Sequence, residues 1–124
     1  MIKTQAKKNE LHRRRRLRGK KKLDRYSGIP RLVVFRSARH ITGQLVDDRV
    51  GHTLVSASSV EKALIEEVRA GANKTDVATR MGLVLGRRAV EKKITRVVFD
   101  RNGHPYRGRI KAFAEGARKS GLKF

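Results

Sequence analysis

Positive charge crowds into the first twenty-five residues of this 124-residue chain, and that crowding limits what the segment can fold into. It carries twelve Lys and Arg against Glu10 and Asp24, a net of +10; residues 26–124 carry twenty against nine, a net of +11. Arg13 to Arg16 and Lys20 to Lys22 are unbroken runs whose mutual repulsion disfavours compact order. Leu11, Leu17 and Leu23 recur every six positions, off the helical period, so no core-facing stripe forms. We expect residues 1–27 to be a basic arm, flexible when free and able to turn helical once phosphates neutralise it, and residues 28–124 to form a single α/β domain. A transit peptide would be amphipathic and Ser-rich, and the first Ser here is Ser27.

The whole chain carries +21 with a pI near 11.6. Self-repulsion on that scale destabilises a compact state unless a polyanion neutralises it, and a phosphate backbone does so while releasing counterions. A membrane surface would call for a helix with a bulky apolar face, which the basic segment lacks. No disulfide or thiolate metal site is possible without Cys.

Ser27-Gly28-Ile29-Pro30 punctuates the chain and ends the arm. RLVVFR (31–36), HITGQLVD (40–47) and HTLVSASS (52–59) read as three strands of an antiparallel meander. Gly43 sits mid-strand and marks a close approach by another group. Ser59 is a candidate cap for a short helix over Val60 to Arg69, and Thr75 for a longer one reaching about Lys93. Ala78, Gly82 and Gly86 make a small-residue stripe suited to close packing on the sheet. TRVVFD (95–100) is a fourth strand, reached by a helical crossover and so parallel to its neighbour. The last helix runs from about Arg107 to Ser120, with Gly121 as a left-handed C-cap and Leu122 folding back. The order implies a mixed sheet of three antiparallel strands and one parallel strand, covered by helices.

Two segments have the chemistry to bind phosphate. Arg101, Tyr106, Arg107 and Arg109 occupy a Gly-rich loop that follows a strand and precedes a helix, where backbone N–H groups face outward. Guanidinium forks match phosphate oxygens, and Tyr106 can stack on a base or sugar. The hairpin around Arg36, Arg39 and His40, with Gln44 further along, is the second. A metal site is not expected, because His12, His40, His52 and His104 lack ligand spacing. Asp47, Asp48 and Asp100 could meet at strand ends as in two-metal nucleases; a turn at 47–48 and an Asp100–Arg101 pair are the simpler readings. No nucleophile triad or Gly-rich nucleotide loop is present, so neither an enzyme nor a cofactor is expected.

RLVVFRSARHI (31–41) with Gln44, SASSVEKA (56–63), Asn73-Lys74 with Gly82 and Ala89-Val90-Glu91-Lys92, and above all FDRNG…YRGRIKAFAEGARKSGLKF (99–124) together resemble the family of bacterial-type large-subunit ribosomal protein L-eighteen. The resemblance implies an α/β globule of the ribonuclease-H-like type found in translational components, without catalytic acids in use. It also implies binding to 5S rRNA and attachment to 23S rRNA in the central protuberance, beside a neighbouring 5S-binding ribosomal protein. A cytoplasmic ribosome is the expected location, with no membrane partner and no homo-oligomer. The implied RNA contacts are Lys7, Lys8, Arg13, Arg14, Arg15, Arg16, Arg18, Lys20, Lys21, Lys22 and Arg25 in the arm, and Arg31, Arg36, Arg39, His40, Gln44, Arg101, Tyr106, Arg107 and Arg109 in the globule. The chain departs from the family pattern at Thr42, Gly43 and Arg107, where Tyr, Ala and His are usual. Arg107 keeps a donor and makes its charge permanent.

Overall fold

Alternating apolar residues in RLVVFR place Leu32 and Val34 on one face of a strand, and that face finds its cover in helices. The computed structural model describes residues 8–15 and 28–124. In the arm, residues 8–15 are helical (α1). The globule follows with β1 (Arg31–Arg36), β2 (Ile41–Asp47), β3 (His52–Ser58), a short 3-10 turn (Lys62–Leu64), α2 (Ile65–Ala70), α3 (Lys74–Glu91), β4 (Val98–Asp100) and α4 (Gly108–Lys119). The sheet order is β3-β2-β1-β4, with β1 antiparallel to β2, β2 to β3, and β4 parallel to β1. The mixed sheet read from the sequence is the one observed. The rest of the expected arm, including Lys7, Arg16, Arg18, Lys20, Lys21, Lys22 and Arg25, lies outside the described residues.

Leu32, Val34, Ile41, Leu45, Val55 and Ala57 form the helix-facing side of the sheet and pack with Met81, Leu85, Ile110 and Phe113 from α3 and α4. Gly43 belongs to the same side, and a Cβ there would overlap the Phe113 ring. The close approach expected at Gly43 is therefore an aromatic ring at full burial. The small-residue stripe has a different partner from the one expected. A Cβ on Gly82 would strike the Phe113 carbonyl oxygen, one on Gly86 would strike Ser120, and one on Gly116 would strike the Thr79 carbonyl. The stripe packs α3 against α4, not against the sheet.

Three local expectations are corrected. The Ser59 hydroxyl accepts from the Ile41 N–H instead of capping a helix, while Glu61 accepts from the Ser58 N–H; the helix starts only at Ile65. Asn73, not Thr75, caps α3, its side chain accepting from the Asp76 N–H. Of residues 95–100 only Val98–Asp100 join the sheet, because β1 has no residues opposite 95–97: Val98 N–H reaches Pro30 O, where the chain turns away. Thr95 and Val97 pair instead with Lys123 of the C-terminal tail (Lys123 N to Thr95 O 2.7 Å, Val97 N to Lys123 O 3.1 Å). Gly121 takes the left-handed conformation (φ 114°), and Leu122 returns to the core with its N–H on Ala117 O.

The outer edge of β3 and the segment leading into β4 both have partners. On β3, Arg88 donates to Ser56 O (2.8 Å) and Lys92 to Leu54 O (2.7 Å). Just before β4, Lys123 makes the equivalent bonds with backbone to Thr95 and Val97.

Gly82→Ala gains helix propensity of about 1 kcal/mol but forces backbone apart from backbone. It should lower the unfolding free energy by a net of about 1–3 kcal/mol in urea titrations; a variant as stable as the parent would show that α3 and α4 do not touch at Gly82.

Candidate nucleic-acid interface

Antiparallel pairing of β1 with β2 returns the chain at Ser37 to His40, and the parallel β4 releases the loop 101–107 beside the same end of β1. The hairpin tip closes with Ser37 N–H on His40 O (2.8 Å) and His40 N–H on Ser37 Oγ (3.2 Å). Arg109, in the first turn of α4, donates to Ser37 O at 2.7 Å and binds helix to hairpin. Arg36 Nε reaches His104 Nδ1 at 3.5 Å and binds strand to loop. His40 Nδ1 lies 3.0 Å from Ser59 Oγ, which fixes the imidazole at the hairpin tip. A cleft of about 190 Å³ opens between these parts, lined by Arg39, Ile41, Ser59, Asn73, Lys74 and Arg109 among others. The N-terminus of α3 faces this cleft, and its partial positive charge adds to the basic side chains.

The structure thus brings together Arg36, Arg39, His40, Arg107, Arg109 and the loop that carries Arg101. They differ in what holds them. Arg36 and Arg109 are engaged in bonds within the protein, whereas the exposed Arg39, Arg101 and Arg107 make no side-chain bond among the described residues. Tyr106 is half-buried, edge-on to Phe99 (5.8 Å, 81°), with its hydroxyl 3.4 Å from Arg118. Gln44 lies on the sheet face turned away from the helices, between Val33 and Ser56 in the register. In the arm, Arg13 and Arg14 both bond to Glu10, while Lys8 and Arg15 are exposed.

Arg31 stands apart. Five residues along a strand separate it from Arg36, roughly 16 Å, and its guanidinium is claimed by Asp48 (3.0 and 3.1 Å) and Asp100 (2.5 Å). Burial opposes its charge, but the bonds to both carboxylates outweigh that and raise its pKa. Asp100 also accepts from Asn102 N–H (2.8 Å), so its charge partner is Arg31 and not the adjacent Arg101. Of the three acids weighed as metal ligands, Asp48 and Asp100 do converge, and the Arg31 guanidinium sits between them. Asp47 turns to Arg49, whose hydrogen bonds hold its carboxyl below the usual range. Among the described residues no group of three potential ligands could hold a metal, and no helix is long and apolar enough to cross a membrane.

Sequence reasoning passed over three contributors. Asn73 and Lys74 enter only because the crossover delivers the start of α3 to the hairpin. His104, considered only as a metal ligand, lies in the basic cluster, and His12 of α1 brings its ring to 4.7 Å from it. Burial, then Arg36, His12 and Arg109, lower the His104 pKa below its ordinary value. An imidazole between two Arg segments was the available signal for His104; nothing in the sequence pairs it with His12.

The family described as ribosomal L18 of archaea, bacteria, mitochondria and chloroplast matches residues 6–124. The Large ribosomal subunit protein uL18 of Thermotoga petrophila is 49% identical over 124 residues, covering 100% of both chains. That of Brevibacillus brevis is 50% identical over 121 residues, 98% of each chain. That of Rhodospirillum centenum is 47% identical over 120 residues, 96% of this chain and 99% of its own.

Asp100→Asn removes one of the charges that hold Arg31. It should lower the unfolding free energy by about 1–3 kcal/mol in denaturant titration; an unchanged midpoint would mean that Asp48 alone suffices.

Proposed function

The chain belongs to the ribosomal L18 family, and from that premise we propose that it binds 5S rRNA and attaches it to 23S rRNA, beside a second 5S-binding protein. At the coarser level the assignment follows from the family: the chain is a structural, non-enzymatic protein of the large ribosomal subunit. The observation that carries the finer reading is the convergence of the hairpin tip, the 101–109 loop and the start of α3 on one basic end of the sheet, with Arg39, Arg101 and Arg107 uncommitted among the described residues. Arg36, Arg109 and His40 shape that end by their internal bonds, so they act on RNA through geometry as well as charge, while Arg31, held by Asp48 and Asp100, would add charge at the other end of β1. Tyr106 and Gln44 offer stacking and hydrogen bonding at its margins. The arm, residues 1–27, contributes mainly charge, reaching phosphates beyond the globule formed by residues 28–124.

Phosphate contacts position the protein, while groove shape, 2′-OH groups and splayed bases select the RNA. In competition at about 150–200 mM salt, labelled 5S rRNA should resist random duplex DNA. Equal displacement by both would make the chain a general polyanion binder.

Arg39→Ala, Arg101→Ala and Arg107→Ala should each weaken 5S rRNA binding by about 1–3 kcal/mol and leave the melting temperature in place. Arg31→Ala should lower the melting temperature as well. A reversal of that pattern would move the interface elsewhere.

Removing residues 1–25 should weaken binding and flatten the dependence of log K on log salt, since fewer counterions are released. Filter binding from about 50 to 300 mM salt measures both, and an unchanged slope would take the arm out of the interface.

A further inference from the structure

The loop that supplies Arg101 and Arg107 also holds His104, half-buried where β1 ends. Arg36 Nε donates to its Nδ1 at 3.5 Å. A ring nitrogen that accepts carries no proton, so the imidazole here is neutral with its hydrogen on Nε2. Each element packed against it presents a cation or a group that can become one: Arg36 from β1, His12 from α1 with its ring tilted 43° at 4.7 Å, and Arg109 from α4. The nearby acids are engaged elsewhere, Glu10 with Arg13 and Arg14, and Asp100 with Arg31. Protonation of the free protein would cost the Arg36 bond and add a charge among like charges.

We propose that His104 is a further RNA-contacting residue, which binds phosphate as the imidazolium, so that association with RNA takes up a proton. The proposal rests on the reading that this end of the sheet binds rRNA. A phosphate seated between Arg36 and Arg109 reverses the local potential. Arg36 then turns its guanidinium fork to the phosphate oxygens and releases Nδ1, which gains a proton from solvent. The imidazolium presents two N–H donors where the neutral ring presented one. A group that holds its proton more tightly in the complex than in the free protein makes binding strengthen as pH falls. The gain occurs between the His104 pKa in the complex and its lower value in the free protein, and it levels off below the latter.

The test uses the full chain and a 5S rRNA transcript at constant salt, with affinity measured from about pH 5.5 to 8 across the ordinary range of His. Calorimetry in buffers of different ionisation enthalpy counts the protons. The parent should gain affinity by up to about tenfold per pH unit within the window, the limit for one proton. His104→Gln should keep the affinity seen at high pH and lose that gain. His104→Arg should bind at high pH as the parent does at low pH. His12→Gln, His40→Gln and His52→Gln should each retain a pH dependence, which separates His104 from the other imidazoles, and its loss in His104→Gln alone separates it from titrating bases. Proton uptake that persists in His104→Gln, or strong binding by the parent without uptake, overturns the inference alone. Failure to bind 5S rRNA at every pH removes the proposed function and this inference together.

Discussion

The crossing of α3 over α4 governs where everything else sits. Gly82, Gly86 and Gly116 let the two helix backbones meet without intervening side chains, and this close seat sets the height of α4 over the sheet. Phe113 then has nowhere to go but down onto β2, where Gly43 leaves room for its ring. With Phe113 and Ile110 fixed, the first turn of α4 lands beside the hairpin tip, and Arg109 ties it to Ser37. The basic end of the molecule is thus a product of helix packing in the core.

Several acids of this cationic chain join one element to another. Asp48 and Asp100 fasten the β2–β3 turn and β4 to β1 through Arg31. Glu61 ties the segment after β3 to Arg88 on α3, and Glu67 and Asp76 hold Arg80 at the corner between α2 and α3. The more open of these pairs contribute little energy each, unlike the buried Arg31–Asp100 pair, but all of them decide which cations remain available. Arg39, Arg101 and Arg107 have no such partner among the described residues, and all three belong to the hairpin and loop at one end. The distribution of carboxylates therefore decides where free positive charge gathers as much as the distribution of Arg does.

Much of this was legible in the sequence because it depends on local chemistry. Strand alternation in 31–36, 41–47 and 52–58, the crossover that makes β4 parallel, and the Gly121 cap follow from period and residue type alone. The cap of α3 was misplaced by two residues because Asn73 and Thr75 both have capping side chains, and only tertiary contacts choose between them. The Gly82 stripe was read as close packing, but its partner is α4, and spacing along one helix carries no information about what lies opposite. Likewise Arg31 and Arg107 look equivalent as letters. Their difference lies in Asp48 and Asp100, which come from a turn and a strand distant in sequence.

The partners along β3 and ahead of β4 have a consequence for the protein before it meets any RNA. An exposed strand edge is a template on which further copies can add, and nascent chains at high local concentration are the most vulnerable to it. Here Lys92 and Arg88 take carbonyls of β3, and Lys123 pairs with the segment 95–97 that leads into β4. Lys123 takes both Thr95 O and Val97 N–H, so one residue covers the approach to β4. Without Lys123 those two backbone groups would stand open to a further strand.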